Sequence, residues 1–359
     1  MAKQKTTRSE LKRRDFIKSA SIGAVTMSGL GSFLNATSAG QQKSTTPIPK
    51  KKLKFGPHSR QLAFLSGVDL AKAAAKIGCD TIGLDVRNNG HVMPERVAED
   101  LPQLVKLIRQ EGVDVEIIIT SISGPESPYA ETVLRTASEL GIHVYRAGGF
   151  RYNESIYVPI WKPGESKVSL PAGAVPLLQQ LDSFKPRVAK LAALNAAYNM
   201  TAAYHASSQQ RTPGSVGSSV WDLFYVLKDF DPALVGINYD TGHMTCESSG
   251  GAWANNLRLL GPYFRSIALQ DFIWARNDIG QWEVQWIPMG QGMVRFPQFA
   301  AVLGALNFSG PIYFEAQYPS IAEAGRAAKT LTTISREQVY VALKRDIEYI
   351  RGVFKEADI

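Results

Sequence analysis

Cysteine, histidine and long apolar runs are all scarce in this chain, and each shortage excludes something. Two cysteines, Cys79 and Cys246, cannot build a disulfide framework. A bridge between them would require the start of one strand to meet the loop that follows Asp240 and His243. Five histidines leave little for a multi-histidine cluster of the kind that holds two or three metal ions. No apolar run reaches the ~18 residues a membrane-spanning helix needs. No glycine-rich phosphate fingerprint follows the first expected strand, which argues against an open dinucleotide-binding sheet. Basic charge is also missing where a nucleic-acid binder would need it. The net +8 lies entirely in the first 54 residues, which hold twelve Lys or Arg and two acids, so the remainder has 28 basic and 30 acidic residues. A domain that reads nucleic acid carries its basic patch itself, so no nucleic-acid partner is expected.

What the N-terminus does contain is an address. Lys12-Arg13-Arg14-Asp15-Phe16 precedes a mildly apolar stretch from Ala20 to Leu34, and Thr37-Ser38-Ala39 then offers small residues before Gly40. This resembles a twin-arginine export signal. The resemblance implies cleavage after Ala39, a periplasmic or secreted mature protein and the twin-arginine translocase as a transient partner. The apolar stretch is weakened by Gly and Ser, so no stable membrane anchor is expected. Residues 40–54, with Lys43, Lys50, Lys51, Lys52 and Lys54, read as a basic flexible linker. Residues 55–359 are long enough for one domain with a large core.

Within that domain the pattern alternates. Short apolar runs are expected as strands at Gln61–Ser66, Thr81–Val86, Val115–Thr120, Val144–Arg146, Thr201–Tyr204, Val235–Tyr239, Ser266–Leu269 and Pro311–Phe314. Helical periodicity falls between them, at Asp69–Ile77, Pro94–Glu111, Ala130–Leu140, Lys185–Asn199, Val220–Lys228, Trp253–Leu260, Phe296–Leu306 and Arg336–Phe354. Residues 150–173 form a long irregular excursion. Eight β/α units in strict alternation predict an α/β fold that closes into a (β/α)8 TIM barrel, a single domain after the signal and linker. Chemistry in such a barrel sits at the C-terminal ends of the strands. Several strands here run from apolar residues into polar ones at that end: Gly236-Ile237-Asn238-Tyr239-Asp240 with His243 beyond it, Ala268-Leu269-Gln270-Asp271, and Ile312-Tyr313-Phe314-Glu315. Any one of these carboxylates could be a helix N-cap. Together they describe a rim.

Six segments in order carry a family resemblance: Gly90-His91-Val92-Met93-Pro94-Glu95, Ala203-Tyr204-His205, Tyr239-Asp240-Thr241-Gly242-His243, Gln270-Asp271-Phe272, Pro288-Met289-Gly290-Gln291-Gly292 and Gly310-Pro311-Ile312-Tyr313-Phe314-Glu315. The chain is similar, over residues 58–355, to the xylose-isomerase-like TIM-barrel superfamily of sugar isomerases, epimerases and inosose dehydratases, with type IV apurinic endonucleases as distant members. The resemblance implies a sugar substrate and one divalent cation, Mn, Mg, Co or Zn, held by Glu, Asp, His and Glu on four successive strands. Asp240 and Glu315 match that pattern. His205 stands at the first Glu position, and the His position falls near Ala268, with Gln270 two residues on. The expected metal ligands are therefore Asp240, Glu315 and His205, with His243 or Gln270 and water completing the shell.

The same resemblance makes Glu315 and His205 the acid and base of proton transfer beside a carbonyl, and gives His243 a substrate contact. Arg146, His91, Gln270 and Trp274 are further candidates for substrate binding at the rim, although Arg146 could equally serve an internal salt bridge. The leading functional class is an exported sugar isomerase, epimerase or lyase, with a homo-oligomer compatible with the pattern. A carbohydrate-binding or regulatory protein on a degenerate metal site is the alternative. A metal-dependent phosphodiesterase ranks third, because His58 and His143 fall at the wrong ends of their expected strands.

Overall fold

The computed structural model describes residues 52–152, 176–209, 212, 214–248 and 250–359. The export signal, the linker up to residue 51 and nearly all of the 150–173 excursion lie outside the described residues. Among the described residues, no helix is long and apolar enough to cross a membrane.

The strands are β1 (Thr81–Asp85), β2 (Asp114–Ile119), β3 (Val144–Ala147), β4 (Thr201–His205), β5 (Val235–Asp240), β6 (Phe264–Leu269), a hairpin of β7 (Asp271–Arg276) and β8 (Trp282–Ile287), and β9 (Ile312–Phe314). Seven of them form one parallel sheet in the order β1-β2-β3-β4-β5-β6-β9. Helices cover its outside: α1 (Val68–Ile77), α2 (Val97–Gln110), α3 (Ala130–Glu139), α4 (Leu177–Ala197), α5 (Val220–Leu227), α6 (Thr241–Glu247), α7 (Trp253–Leu260), α8 (Phe296–Ala305), α9 (Ala322–Gly325) and α10 (Arg336–Glu356). Helix α10 shows why these segments fold as they do. Ser335 and Gln338 form a reciprocal capping box at its start. Val339, Leu343, Ile347, Ile350 and Phe354 then recur at helical spacing and are buried on one face.

The expected first strand is placed differently. Ser59–Leu62 is a single 3-10 turn, and the eighth stave of the barrel is the preceding segment, Phe55–His58. On one side the Asp80 N–H donates to Phe55 O (2.9 Å) and the Gly83 N–H to Pro57 O (3.0 Å). On the other, the Phe314 N–H donates to Gly56 O (3.0 Å) and the His58 N–H to Phe314 O (2.9 Å). This stave closes the sheet between β9 and β1. A Cβ at Gly56 would lie 1.6 Å from Thr81 O, so only glycine fits there. Leu53 is buried and Lys54 Nζ lies 2.7 Å from Asp114 Oδ2, so the last residues assigned to the linker pack on the barrel.

Other elements depart from the sequence reading, which placed neither α6 nor α9. Helix α4 starts at Leu177, eight residues before the expected Lys185, and runs through Pro186. The β7–β8 hairpin replaces an expected loop. Its turn is set by Asn277, whose Oδ1 accepts the N–H groups of Ile279 and Gln281. Cys79 and Cys246 are buried free thiols.

Candidate active site at the barrel rim

Strand periodicity decides which side chains reach the barrel axis. Tyr145, Tyr204, Ile237, Tyr239, Ile267, Leu269, Ile312 and Phe314 pack outward into the helix-covered core. The alternate positions Ile117, Ile119, Ala268 and Tyr313 form a separate apolar layer inside the barrel. One period further along each strand, at the C-terminal rim, stand His58, Asp85, Arg146, His205, Asp240 and Glu315. Above them opens a cavity of about 480 Å³, lined among others by Arg60, Arg87, Arg146, His205, His243 and Glu315, a volume typical of small-molecule sites.

On the β4–β5 side, hydrogen bonds fix the state of each group. Asn238 Nδ2 donates to Ser266 Oγ (2.8 Å), which turns its Oδ1 toward His205 Nδ1 (2.8 Å) and the Tyr313 hydroxyl (2.9 Å). An amide oxygen only accepts, so His205 carries its proton on Nδ1 and presents a lone pair at Nε2. Burial, reinforced by the Arg146 charge, holds the His205 pKa well below the usual imidazole value, so the ring is neutral near pH 7. Asp240 is the N-cap of α6: its Oδ1 accepts the His243 N–H (2.9 Å). Its Oδ2 is buried without a partner. Burial, with Glu315 nearby, pushes this carboxyl well above its ordinary range. His243 Nδ1 lies 2.8 Å from Ser208 Oγ, and its ring meets Trp286 edge-on at 4.7 Å.

The opposite side is a chain of ion pairs. Arg87 Nε lies 2.7 Å from Asp85 Oδ1, and Asp85 Oδ1 lies 3.0 Å from His58 Nε2. His58 Nδ1 is 3.5 Å from Glu315 Oε1, an ion-pair rather than a hydrogen-bond separation, and Arg146 Nη1 donates to the same oxygen at 2.7 Å. Gln317 Nε2 donates to Glu315 Oε2. Burial alone would raise the Glu315 pKa, but His58, Arg146 and His205 outweigh it and hold the carboxyl well below its usual range. Glu315 is therefore ionised.

The sequence-derived site residues divide into three groups. Glu315, His205, His243 and Arg146 line the one cavity. Asp240 lies fully buried beside them, and Gln270, at the end of the neighbouring strand, is buried with neither side-chain polar atom partnered. His91 and Trp274 are not among the lining residues: His91 Nε2 contacts Leu62 O at 3.3 Å, and Trp274 packs against Phe272 in the hairpin. Of the tryptophans near the late loops, Trp286 touches the site, Trp253 packs on Phe299, and Trp221 and Trp282 face solvent. Sequence reading missed His58, Asp85, Arg87, Asn238 and Tyr313. His58 was misplaced because its stave is four residues long and holds Gly56 and Pro57, which mask a strand.

Among the described residues, one group of three bears ligand atoms close enough for a shared ion: His205, Asp240 and His243, within 4.8 Å of one another. The geometry thus groups His243, rather than Glu315, with the other two expected ligands. The set fits a divalent cation on its own terms. Asp240 Oδ2 is a buried oxygen lacking a partner, and both imidazoles are oriented through their Nδ1 atoms by Asn238 and Ser208, as metal-ligating histidines usually are. Two imidazoles and a carboxylate favour Zn or Co over Mg. His205 was also expected to act as a base, but its single lone pair at Nε2 can serve only one of the two roles at a time.

Ala268 stands where the resemblance expects a histidine. It packs against Ile117, Ile119 and Tyr313, and the Tyr313 hydroxyl links Asn238 to Arg146. An apolar layer thus occupies the position where a fourth ligand is expected.

Solved structures share this architecture. D-psicose 3-epimerase from Clostridium cellulolyticum H10, solved with D-tagatose, superposes with a TM-score of 0.56 at 10% identity, covering 84% of this chain and 99% of that one. A xylose isomerase domain protein from Planctomyces limnophilus gives 0.54 at 16% identity over 80% and 93% of the two chains. A probable 3-DHS dehydratase from Bacillus anthracis gives 0.56 at 12% identity over 83% and 99%. No curated protein matches the chain in sequence. At such identities the structural likeness concerns the fold. The family described as xylose isomerase-like TIM barrel matches residues 71–337, and with that span and this closed barrel the chain belongs to the xylose isomerase-like TIM barrel family.

Proposed function

We propose that this protein is an enzyme of the sugar isomerase and epimerase type, moving a proton between carbons beside a sugar carbonyl. The supporting observation is that one cavity collects an ionised carboxylate, Glu315, a neutral imidazole, His205, and a guanidinium, Arg146, from the ends of three strands. His205, Asp240 and His243 would hold one divalent cation, which when bound polarises a substrate carbonyl. Glu315 takes the proton from the adjacent carbon. Arg146, already 2.7 Å from Glu315 Oε1, compensates negative charge as it develops on the sugar. A carboxylate held this far below its usual pKa is a weak base, so the substrate C–H must be made acidic by its surroundings.

The carboxylate count favours isomerisation. Epimerisation needs proton donor and acceptor on opposite faces of a planar intermediate. Among the described residues lining the cavity Glu315 is the one acid, and the His205 lone pair is committed if the cation is held. A single base returns its proton to the same face, as a 1,2-shift between aldose and ketose requires. Incubation with aldoses and ketoses in D₂O tests this: deuterium should enter the carbon beside the carbonyl with the wild type and not with Glu315→Gln, and C2-deuterated aldose should deliver part of its label to C1 of the ketose. Inversion at C3 with full washout would assign epimerisation instead.

The alternative, a carbohydrate-binding protein, draws support from one fact: both Glu315 oxygens are already engaged, by Arg146 and by Gln317. Saturable sugar binding without exchange in any sugar of the panel would select it.

Export by the twin-arginine route is proposed from the leader alone. Replacing Arg13 and Arg14 by lysine should retain the protein in the cytoplasm, and the exported form should begin near Gly40. An intact leader on exported protein would reject the cleavage.

A further inference from the structure

Residues 55–359 are close to neutral, with 28 basic and 30 acidic side chains, so nothing in the bulk charge gathers cations anywhere. Yet among the described residues the rim cavity is lined by four arginines, Arg60, Arg87, Arg146 and Arg151, by no lysine and by one acid, Glu315.

The donor balance is as uneven as the charge. A sugar hydroxyl both gives and accepts a hydrogen bond, so a neutral sugar calls for amides and carboxylates as well as donors. A guanidinium has five N–H donors and no acceptor, and its planar fork matches a carboxylate or phosphate edge. Among the described lining residues Phe150 is the one Phe, Tyr or Trp, which leaves little stacking surface for an uncharged ring.

Arg87 is also set in advance. Asp85 fixes it through Nε (2.7 Å) and Nη2 (3.2 Å), and Nη1 has no protein acceptor among the described residues. Arg60 and Arg151 have interactions of their own, which a ligand would share. Beyond β3, Gly149 has open space where a Cβ would stand, so a ligand can approach the main chain beside these arginines.

We propose that the sugar bound here is acidic, carrying a carboxylate or phosphate group held by Arg87, Arg60 and Arg151 while its carbonyl end meets Glu315 and His205. The inference rests on the sugar-enzyme reading above and narrows its substrate class. Calorimetric titration of the full chain with a hexuronate, a hexose 6-phosphate, the parent hexose and inorganic phosphate tests it. Either acidic sugar should bind at least about tenfold more tightly than the parent hexose, and the margin should shrink between about 0.02 M and about 0.3 M salt. Comparison of the two acids identifies which anion the arginines accept. The double variant Arg60→Gln with Arg151→Gln, which leaves the Arg87–Asp85 and Arg146–Glu315 pairs intact, should reduce the preference for acid about tenfold. Equal binding of the parent hexose, an unchanged preference in the double variant, or no binding by either acid or by phosphate would overturn the proposal. Binding is read without turnover. A chain that prefers acids but exchanges no proton keeps this site and loses the reaction, whereas exchange on neutral sugars alone does the reverse.

Discussion

The two sides of the rim are built from similar residue types and brought to opposite conditions. On the β4–β5 side, Asp240 keeps one oxygen bare and His205 keeps one lone pair unshared, in surroundings that push both toward neutrality. On the other, Arg87, Asp85, His58, Glu315 and Arg146 are linked end to end, and the carboxylates are driven to ionise. One side has a deficit of positive charge and the other has supplied its own. Burial is comparable on both, so the partners, and not the depth, decide the ionisation state.

The contrast can be broken most severely at Glu315. Glu315→Gln should lower turnover by about 10² to 10⁴ while circular dichroism and thermal unfolding show a folded barrel; turnover unchanged would remove Glu315 from the chemistry. Next in size, Asp85→Ala strands the fully buried His58 and frees the half-buried Arg87, and should cost about 3 to 5 kcal/mol in urea unfolding. A loss under about 1 kcal/mol would show that the ion-pair chain is not closed in solution. A smaller effect is expected on the other side. Asn238→Ala removes the acceptor that orients His205, and should weaken Zn or Co binding about 10- to 100-fold by competition with a chelator. Metal affinity equal to the wild type would take His205 out of the ligand set.

The smallest expected effect concerns pH. Burial lowers His91 to about 4, against partial compensation from the Asp85 charge. Because the folded protein resists protonating this ring, its contribution is fully present above the ordinary imidazole range. It declines as pH falls from about 6.5 toward 4, by about 2 kcal/mol at pH 5. His91→Gln can keep the hydrogen bond to Leu62 O and should flatten the fall in urea midpoint between pH 7 and pH 5. An identical slope in both proteins would exclude His91 as the titrating group.

How much of this was legible depended on run length. Strands β2, β5 and β6 announce themselves by mostly apolar runs, and Asp240, His243 and Glu315 could be placed on the rim because they stand at or just past the C-terminal ends of such runs. The stave Phe55–His58 is too short to show a period. With its start misassigned by a few residues, His58 fell off the rim, and the ion-pair chain that depends on it went unseen. Gly290 and Gly292 show the opposite outcome. Their segment was read from the family resemblance, and the structure gives its reason: Asp271 accepts the N–H groups of Phe272, Gly290, Gly292 and Val294, so this acid anchors a loop. Partnerships across the barrel, such as Asn238 with His205 and Tyr313, belong to no local pattern. They arise only once the sheet closes.

That closure gives the barrel a seam. Seven staves are joined through ladders of several residues, whereas the eighth holds its neighbours by a few main-chain bonds through a segment containing a proline. The seam carries His58, and His58 links the Asp85 and Glu315 halves of the charge chain. Parting the seam would separate two ion pairs and leave Glu315 without its histidine in a single motion. Architecture and reactivity are interlocked at this point, so the chain from Arg87 to Arg146 is continuous only in a barrel that has shut.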